Sequence, residues 1–243
     1  MSGEPGAGRR PSYQARIERI LDHAQDTRSL FLRIVDGARP RWTPGMFISI
    51  SIPLADETRV RPYTIASSPE DGEPFEIVFN RVTGGAGVAW LFERKAEDEI
   101  NFTGPFGAFT LERAPERELV FIAEGTAIAP IRPMLRRVLE QKPGHPVRLL
   151  YAADRADHLL FRNEIERWAM THPQFQFETI IADAGHEALY ARIIAEVKRR
   201  WVAADGDRTR HFYVCGVGAG VLRIRDVLRG AGYERRAVRY EQW

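Results

Sequence analysis

Leu119-Val120-Phe121-Ile122-Ala123-Glu124-Gly125-Thr126-Ala127-Ile128-Ala129-Pro130 separates two kinds of sequence pattern. Its first five residues are an unbroken apolar run, as in a strand buried on both faces. A short turn follows, and Ile128 to Glu140 then has helical spacing. A strand, a tight turn and a helix in that order is where nucleotide-binding α/β folds place a phosphate loop. The G-x-G-x-x-G fingerprint is missing. From this segment alone, a plain strand-to-helix turn reads equally well.

Downstream, the same rhythm repeats. Val147 to Ala153, Phe175 to Ile181, Phe212 to Cys215 and Val238 to Tyr240 read as strands. Leu160 to Met170, Leu189 to Trp201 and Val221 to Leu228 read as helices. That alternation predicts a parallel sheet with helices on both faces. Upstream, the segments are short and alternate with period two. Tyr13 to Leu21, Ser29 to Val35, Phe47 to Ile52 and Phe75 to Phe79 read as strands, with one short helix near Val88 to Lys95. Turn residues punctuate them at Asp36-Gly37, Thr43-Pro44-Gly45, Glu70-Asp71-Gly72 and Gly84-Gly85. This half predicts an antiparallel β-barrel or sandwich. Glu112 to Arg117, rich in charge and proline, joins the halves. The expected organisation is a disordered tail at 1–12, an antiparallel β-barrel domain at 13–113 and an α/β parallel-sheet domain at 114–243.

Composition excludes several function classes. The 243 residues carry 35 basic and 33 acidic side chains, a net charge of +2. No basic arm of the kind that neutralises nucleic-acid phosphates stands out, so no nucleic-acid partner is expected. Cys215 is the single cysteine, which leaves no internal disulfide and no cysteine-ligated iron–sulfur cluster held by this chain alone. The 6 histidines are scattered and predict no metal site. No run of about 18 apolar residues occurs, so membrane insertion is not expected, and the cytoplasm is the default location.

Five short segments could carry chemistry. Arg61-Pro62-Tyr63-Thr64 places a guanidinium and an aromatic ring on one face of a strand and Thr64 on the other. That pairing suits a ligand with a phosphate and a flat ring, although an exposed Arg beside a half-buried Tyr is the plainer reading. Gly84-Gly85-Ala86-Gly87 enters the short helix and could bring backbone amides to an anion, or simply be a hairpin turn. Gly125 and Thr126 occupy the strand-to-helix turn quoted first. Val214-Cys215-Gly216-Val217-Gly218 repeats that arrangement where parallel sheets bind ligands, and its Cys reads equally as a small buried residue. Tyr240-Glu241-Gln242-Trp243 ends on a large aromatic, which could cover a ring or serve no role.

Together these segments resemble the ferredoxin–NADP reductase-like superfamily over about Tyr13 to Trp243. Arg61-Pro62-Tyr63-Thr64 is similar to the family's Arg-x-Tyr-Ser/Thr flavin motif. The resemblance implies FAD as cofactor, with Arg61 at the pyrophosphate, Pro62 and Tyr63 beside the isoalloxazine ring, and Thr64 near N5. Asn80 and the loop Gly84, Gly85, Ala86, Gly87 and Val88 would complete that pocket. Gly104-Pro105-Phe106-Gly107 is similar to the turn that ends the family's barrel.

In the second half, Gly125, Thr126 and Ala127 resemble the loop under the nicotinamide and pyrophosphate. Cys215 and Gly216 resemble the pair beside nicotinamide C4. Glu241 resembles an acidic residue near the end of many members, and Trp243 an aromatic laid on the flavin. Four positions depart from the pattern: Glu124 and Ala127 replace family glycines, Val217 replaces a proline, and Val88 replaces a Ser or Thr that would offer a phosphate hydrogen bond. The departures raise the expectation of a crowded or repelled nucleotide.

The resemblance implies an NAD(P)H-dependent, FAD-containing reductase in which Thr64 and Cys215 border the hydride path and Glu241 assists proton balance. The alternative is a flavin-bearing electron-transfer or assembly subunit with an impaired nicotinamide site. Asp154 suits the ribose hydroxyl of NADH and Arg155 the phosphate of NADPH; Asp154 comes first, which tilts the expectation to NADH. The acceptor would be free flavin, a small molecule or a separate redox protein.

Overall fold

Alternating side chains build the first half. In the computed structural model, residues 11–23, 26–35, 37, 39–81, 85–183 and 185–243 are described. The first ten residues of the expected tail, Asp36 of an expected turn, and Gly84 lie outside them. Ser12 already belongs to a strand. The first five strands are β1 (Ser12–His23), β2 (Thr27–Ile34), β3 (Phe47–Pro53), β4 (Thr58–Thr64) and β5 (Phe75–Asn80). A short helix α1 (Ala86–Phe92) and strand β6 (Glu99–Phe106) complete the half.

The 6 strands pair antiparallel in the order β4-β3-β6-β1-β2-β5. The two edges meet through an isolated bridge between Ile65 and Ile77, which closes the sheet into a barrel. Ile48, Ile50 and Ile52 alternate inward with Leu30, Leu32, Phe75, Ile77 and Phe102 to fill it. Burying each such side chain contributes about 1.5–3 kcal/mol of transfer free energy.

The segment Gly104-Pro105-Phe106, read as a turn, is the end of β6, and the chain leaves the ladder at Gly107. Its partner β3 skips register there, pairing Ser49 with Thr103 and then Phe47 with Phe106. The skip accommodates Pro105, which has no N–H for a regular ladder.

The second half is β7 (Leu119–Glu124), α2 (Ile128–Glu140), β8 (Val147–Ala153), α3 (Arg162–Thr171), β9 (Phe175–Ile181), α4 (His186–Val197), β10 (His211–Gly216), α5 (Gly220–Gly230) and β11 (Val238–Gln242). Helix α4 ends earlier than its apolar spacing implied, and Trp201 sits in a following π turn, buried against Phe212. The 5 strands are parallel in the order β11-β10-β7-β8-β9. Leu119 to Ala123 are all apolar because both faces are covered. Leu119, Phe121 and Ala123 pack with α2 and α3, while Val120 and Ile122 pack with α4 and α5.

Chain order reverses between β7 and β10, which makes their carboxyl ends a topological switch point. The halves also share apolar packing. Ala66, Val78, Phe109 and Leu111 from the barrel side lie in one cluster with Phe121, Ile131 and Met134.

Candidate active site

A cleft of about 350 Å³ opens at the switch point, and both halves line it. Thr27 and Asn80, paired across β2 and β5, form its barrel wall. The ends of four strands of the second half form the rest. Glu124, Gly125 and Thr126 follow β7, Asp154 and His158 follow β8, Asp183, Gly185 and His186 follow β9, and Val217 follows β10. These positions come together because each lies just past the carboxyl end of a parallel strand.

The electrostatics of the cleft are set by its acids. Glu124 Oε2 accepts the Val217 N–H at 3.1 Å, and His186 Nε2 lies 4.0 Å from the same oxygen. Burial pushes the Glu124 carboxyl above its ordinary range, opposed by the Val217 amide and by His186. Asp154 pairs with His158 one helical turn on. Arg155 is exposed and pairs with Asp157 at 3.1 Å. No Arg or Lys is among the described residues lining the cleft.

The flavin-motif strand β4 is exposed through Arg61 and Pro62, then buried at Tyr63 and Thr64. Arg61 and Tyr63 stand opposite Ile50 and Ile48, so they share a face as the alternation implied. Tyr63 belongs to the barrel core, edge-on to Phe79 at 5.6 Å, and burial pushes its hydroxyl up to about 12. A methyl on Gly87 would lie 2.9 Å from Ile52 Cδ1 and 3.6 Å from Arg61 Cγ. Glycine lets the start of α1 sit against the tip of Ile52, and that turn lies in ordinary contact with the stem of Arg61. Val88 packs against the barrel core.

Cys215 is 1% exposed, and burial pushes its thiol well above the ordinary range. Glu241 pairs in register with Cys215 on β11 and lines a separate groove with Ala108, Phe109 and Tyr240; burial raises its carboxyl as well. Trp243 donates its N–H to the Gly216 carbonyl at 3.0 Å and accepts from Gly218 at 3.1 Å, leaving its indole 41% exposed. Ala127 is fully buried in the apolar cluster around α2 and is not among the residues lining the cleft.

Two oxidoreductase family models match the chain in series. The oxidoreductase FAD-binding domain matches residues 14–111, and the oxidoreductase NAD-binding domain matches residues 121–222. The chain belongs to the ferredoxin–NADP reductase-like superfamily. Its superfamily relatives include ferredoxin–NADP reductase B of Sorangium cellulosum, 26% identical over 237 residues, covering 95% of this chain and 97% of the relative. The toluate 1,2-dioxygenase electron transfer component of Pseudomonas putida is 27% identical over 235 residues, covering 95% of this chain and 67% of that one. The crystal structure of the Amycolatopsis cytochrome P450 reductase GcoB has the same fold, with a TM-score of 0.80 at 23% identity, covering 99% of this chain and 73% of the other. As a member of the superfamily the chain is an NAD(P)H-dependent, FAD-containing reductase that binds a nicotinamide nucleotide.

The residues present fit both cofactors: the exposed Arg61 guanidinium suits a pyrophosphate, and Asp154 at the cleft offers an acceptor to a ribose hydroxyl. Thr27, Asp183 and His186 were not anticipated. Thr27 is brought in only by its pairing with Asn80. Asp183 and His186 follow β9, and extending the strand-end rule to that strand would have found them. Among the described residues no helix is long and apolar enough to cross a membrane, and no cluster of His, Cys, Asp and Glu could hold a metal ion.

Proposed function

We propose that the chain takes hydride from NADH in the cleft between its halves and delivers the electrons to a separate redox protein. When bound, the nicotinamide nucleotide and FAD supply the hydride chemistry itself, and the protein supplies binding, orientation and shielding. The observation that carries this reading is the cleft at the switch point, lined by Asn80 and Thr27 on one side and by Thr126 and Val217 on the other. Its working units are residues 13–113 for the flavin and 114–243 for the nucleotide.

In this reading Arg61 and the backbone of Gly85, Ala86 and Gly87 hold the flavin pyrophosphate, Pro62, Tyr63 and Val88 flank the ring, and Thr64 and Asn80 offer polar groups at its reacting edge. Gly125 and Thr126 receive the nucleotide, while Ala127 shapes their turn from beneath. Gly216 and Val217 border the nicotinamide. Cys215 keeps its thiol proton and closes the floor against water. Glu241, its carboxyl raised by burial, stands beside Cys215 to assist proton balance, and Trp243 covers the flavin face until the nucleotide displaces it. The cytoplasm, where reduced nucleotide is abundant, is the compartment this chemistry needs.

NADH is favoured over NADPH because Asp154 faces the cleft and Arg155 is paired with Asp157. A carboxylate there accepts from a ribose hydroxyl and repels a phosphate. The separate-protein acceptor draws support from the toluate 1,2-dioxygenase relative, named as an electron transfer component. The occupied Val217 amide favours a second reading, a flavin-bearing subunit reduced only slowly, because Glu124 already holds a donor that a nucleotide could use.

An anaerobic titration of the FAD-loaded protein decides between them. The flavin absorbance should bleach with NADH, and more slowly with NADPH. Equal or faster bleaching with NADPH would overturn the nucleotide preference. No bleaching with either would leave the second reading.

A further inference from the structure

Arg132 lies on α2, six residues beyond Thr126 of the nucleotide loop, and reaches across the seam between the halves. Its Nη1 donates to the Ala66 carbonyl at 3.1 Å and to Glu76 Oε2 at 2.7 Å. Its Nε donates to Glu164 Oε2 at 2.6 Å and its Nη2 to Glu164 Oε1 at 3.3 Å, while the guanidinium sits 4.1 Å over the Phe161 ring. Ala66 is two residues beyond Thr64, the end of the flavin motif. Glu76 is on β5, and its backbone binds the same segment. Ala66 N–H donates to the Glu76 carbonyl at 2.7 Å, and Glu76 N–H donates to Ser67 Oγ at 2.9 Å. Ser29 Oγ donates to Glu76 Oε1 at 2.6 Å, so both carboxylate oxygens are engaged.

Burial separates this contact from its neighbours. The side chains of Arg132 and Glu76 are 19% and 4% exposed. Arg136, one turn further along α2, also crosses the seam, to Asp71, but those side chains are 32% and 39% exposed. An ion pair open to solvent contributes about 0–1 kcal/mol and holds geometry weakly. A buried pair adds little net stability, because desolvation offsets the attraction. Its hydrogen bonds have fixed directions, however, and no water competes for them. Arg132 therefore constrains orientation more than it stabilises.

That constraint has a use. Hydride transfer needs reacting atoms about 3–3.5 Å apart, and a misplacement of about 1 Å costs on the order of 100-fold in rate. The two ligand-bearing segments, the end of β4 and the start of α2, belong to different halves. Arg132 bonds Ala66, two residues past the first, and lies on the same helix as the second.

We propose that Arg132 is a positioning residue for hydride transfer, holding the segment after Thr64 at a fixed distance from the nucleotide loop at Thr126. This rests on the proposed cleft reading. Its removal changes the distance between bound cofactors without removing a contact to either.

The test compares Arg132→Lys, the double variant Arg132→Met/Glu76→Gln and the control Arg136→Met, all loaded with FAD. The double variant removes both charges of the most buried pair and leaves Glu164, whose side chain is 23% exposed, to solvent. NADH affinity and FAD content should stay within about twofold of wild type, while the reduction rate at saturating NADH falls about tenfold or more. Arg132→Lys should recover part of the rate, and Arg136→Met should not change it. Amide hydrogen exchange, read without nucleotide, should quicken in the double variant at both 64–67 and 125–132. An unchanged saturating rate in a reducible protein overturns the proposal alone, as does a rate loss explained by weaker NADH or FAD binding. A wild-type protein that neither nucleotide reduces overturns it together with the cleft reading.

Discussion

Replacing Gly216 with alanine puts a methyl where the Tyr190 hydroxyl already stands. An ideal Cβ at Gly216 would lie 2.1 Å from that oxygen, 3.2 Å from Val221 Cγ2 and 3.4 Å from Glu124 Cβ. The ring has nowhere to retreat. Tyr190 is 1% exposed, and a Cβ at Gly220 would lie 2.2 Å from its Cγ and Cδ1. Two glycines thus make room for one tyrosine, which seats α4 on β10 and α5. Overpacking of this kind costs about 1–3 kcal/mol. In a chain of this size each kcal/mol moves Tm by about 2–4 °C, so Gly216→Ala should lower Tm by roughly 2–12 °C.

Tyr190→Phe isolates the cause. The hydroxyl is buried beside Glu124 and the Val217 amide without a well-formed hydrogen bond to either. Deleting a group whose desolvation is uncompensated should be neutral, or stabilising by up to about 1 kcal/mol. In Gly216→Ala/Tyr190→Phe the methyl enters the space that the oxygen leaves, and the double-mutant cycle should show a favourable coupling of about 1–2 kcal/mol. Thermal unfolding of the four FAD-loaded proteins measures this directly. A coupling near zero, or a Tyr190→Phe cost equal to that of Gly216→Ala, would refute the packing argument. Because α4 carries His186 into the cleft, the single Gly216→Ala variant should also bind NADH more weakly, and the double variant should regain affinity.

Other perturbations separate the remaining groups. Burial holds the Glu124 carboxyl above its ordinary 4.5, so its contribution to stability is present below that value and is lost as pH rises through the raised one. Glu124→Gln should therefore gain on wild type as pH rises above about 4.5 in unfolding measurements, and a gap that does not widen with pH would contradict the assignment. Asp154→Ala should weaken NADH binding by about 10- to 100-fold, the loss of one hydrogen bond to a charged acceptor, with a smaller change for NADPH. Equal losses for both nucleotides would place Asp154 away from the ribose. The buried, protonated Cys215 should react with thiol reagents at less than about one-tenth the rate of a free thiol until the protein unfolds; fast labelling of the native state would show that the core at the end of β10 is open. Arg61→Ala should lower FAD affinity by about 10-fold or more with a smaller effect on Tyr63 packing, as fluorescence titration and near-UV dichroism would read.

The sequence by itself determined the two architectures and the main loops between them. Period two in Phe47 to Ile52 and the unbroken run Leu119 to Ala123 are local records of how many faces a strand buries, so they can be read without partners. The loops at Gly125 and Cys215 were legible for the same reason, as each ends such a run. Strand β6 was not read, because its end Gly104-Pro105-Phe106 looks like a turn and its place between β1 and β3 is set only by pairing. Ala127 aligned with a ligand loop, yet its methyl direction depends on how α2 packs. Thr27 beside Asn80, His186 beside Glu124, and Arg132 between Ala66 and Glu164 join residues far apart in the chain. No local pattern records such meetings. They follow from the register of strands and the docking of two halves, which only the tertiary structure decides.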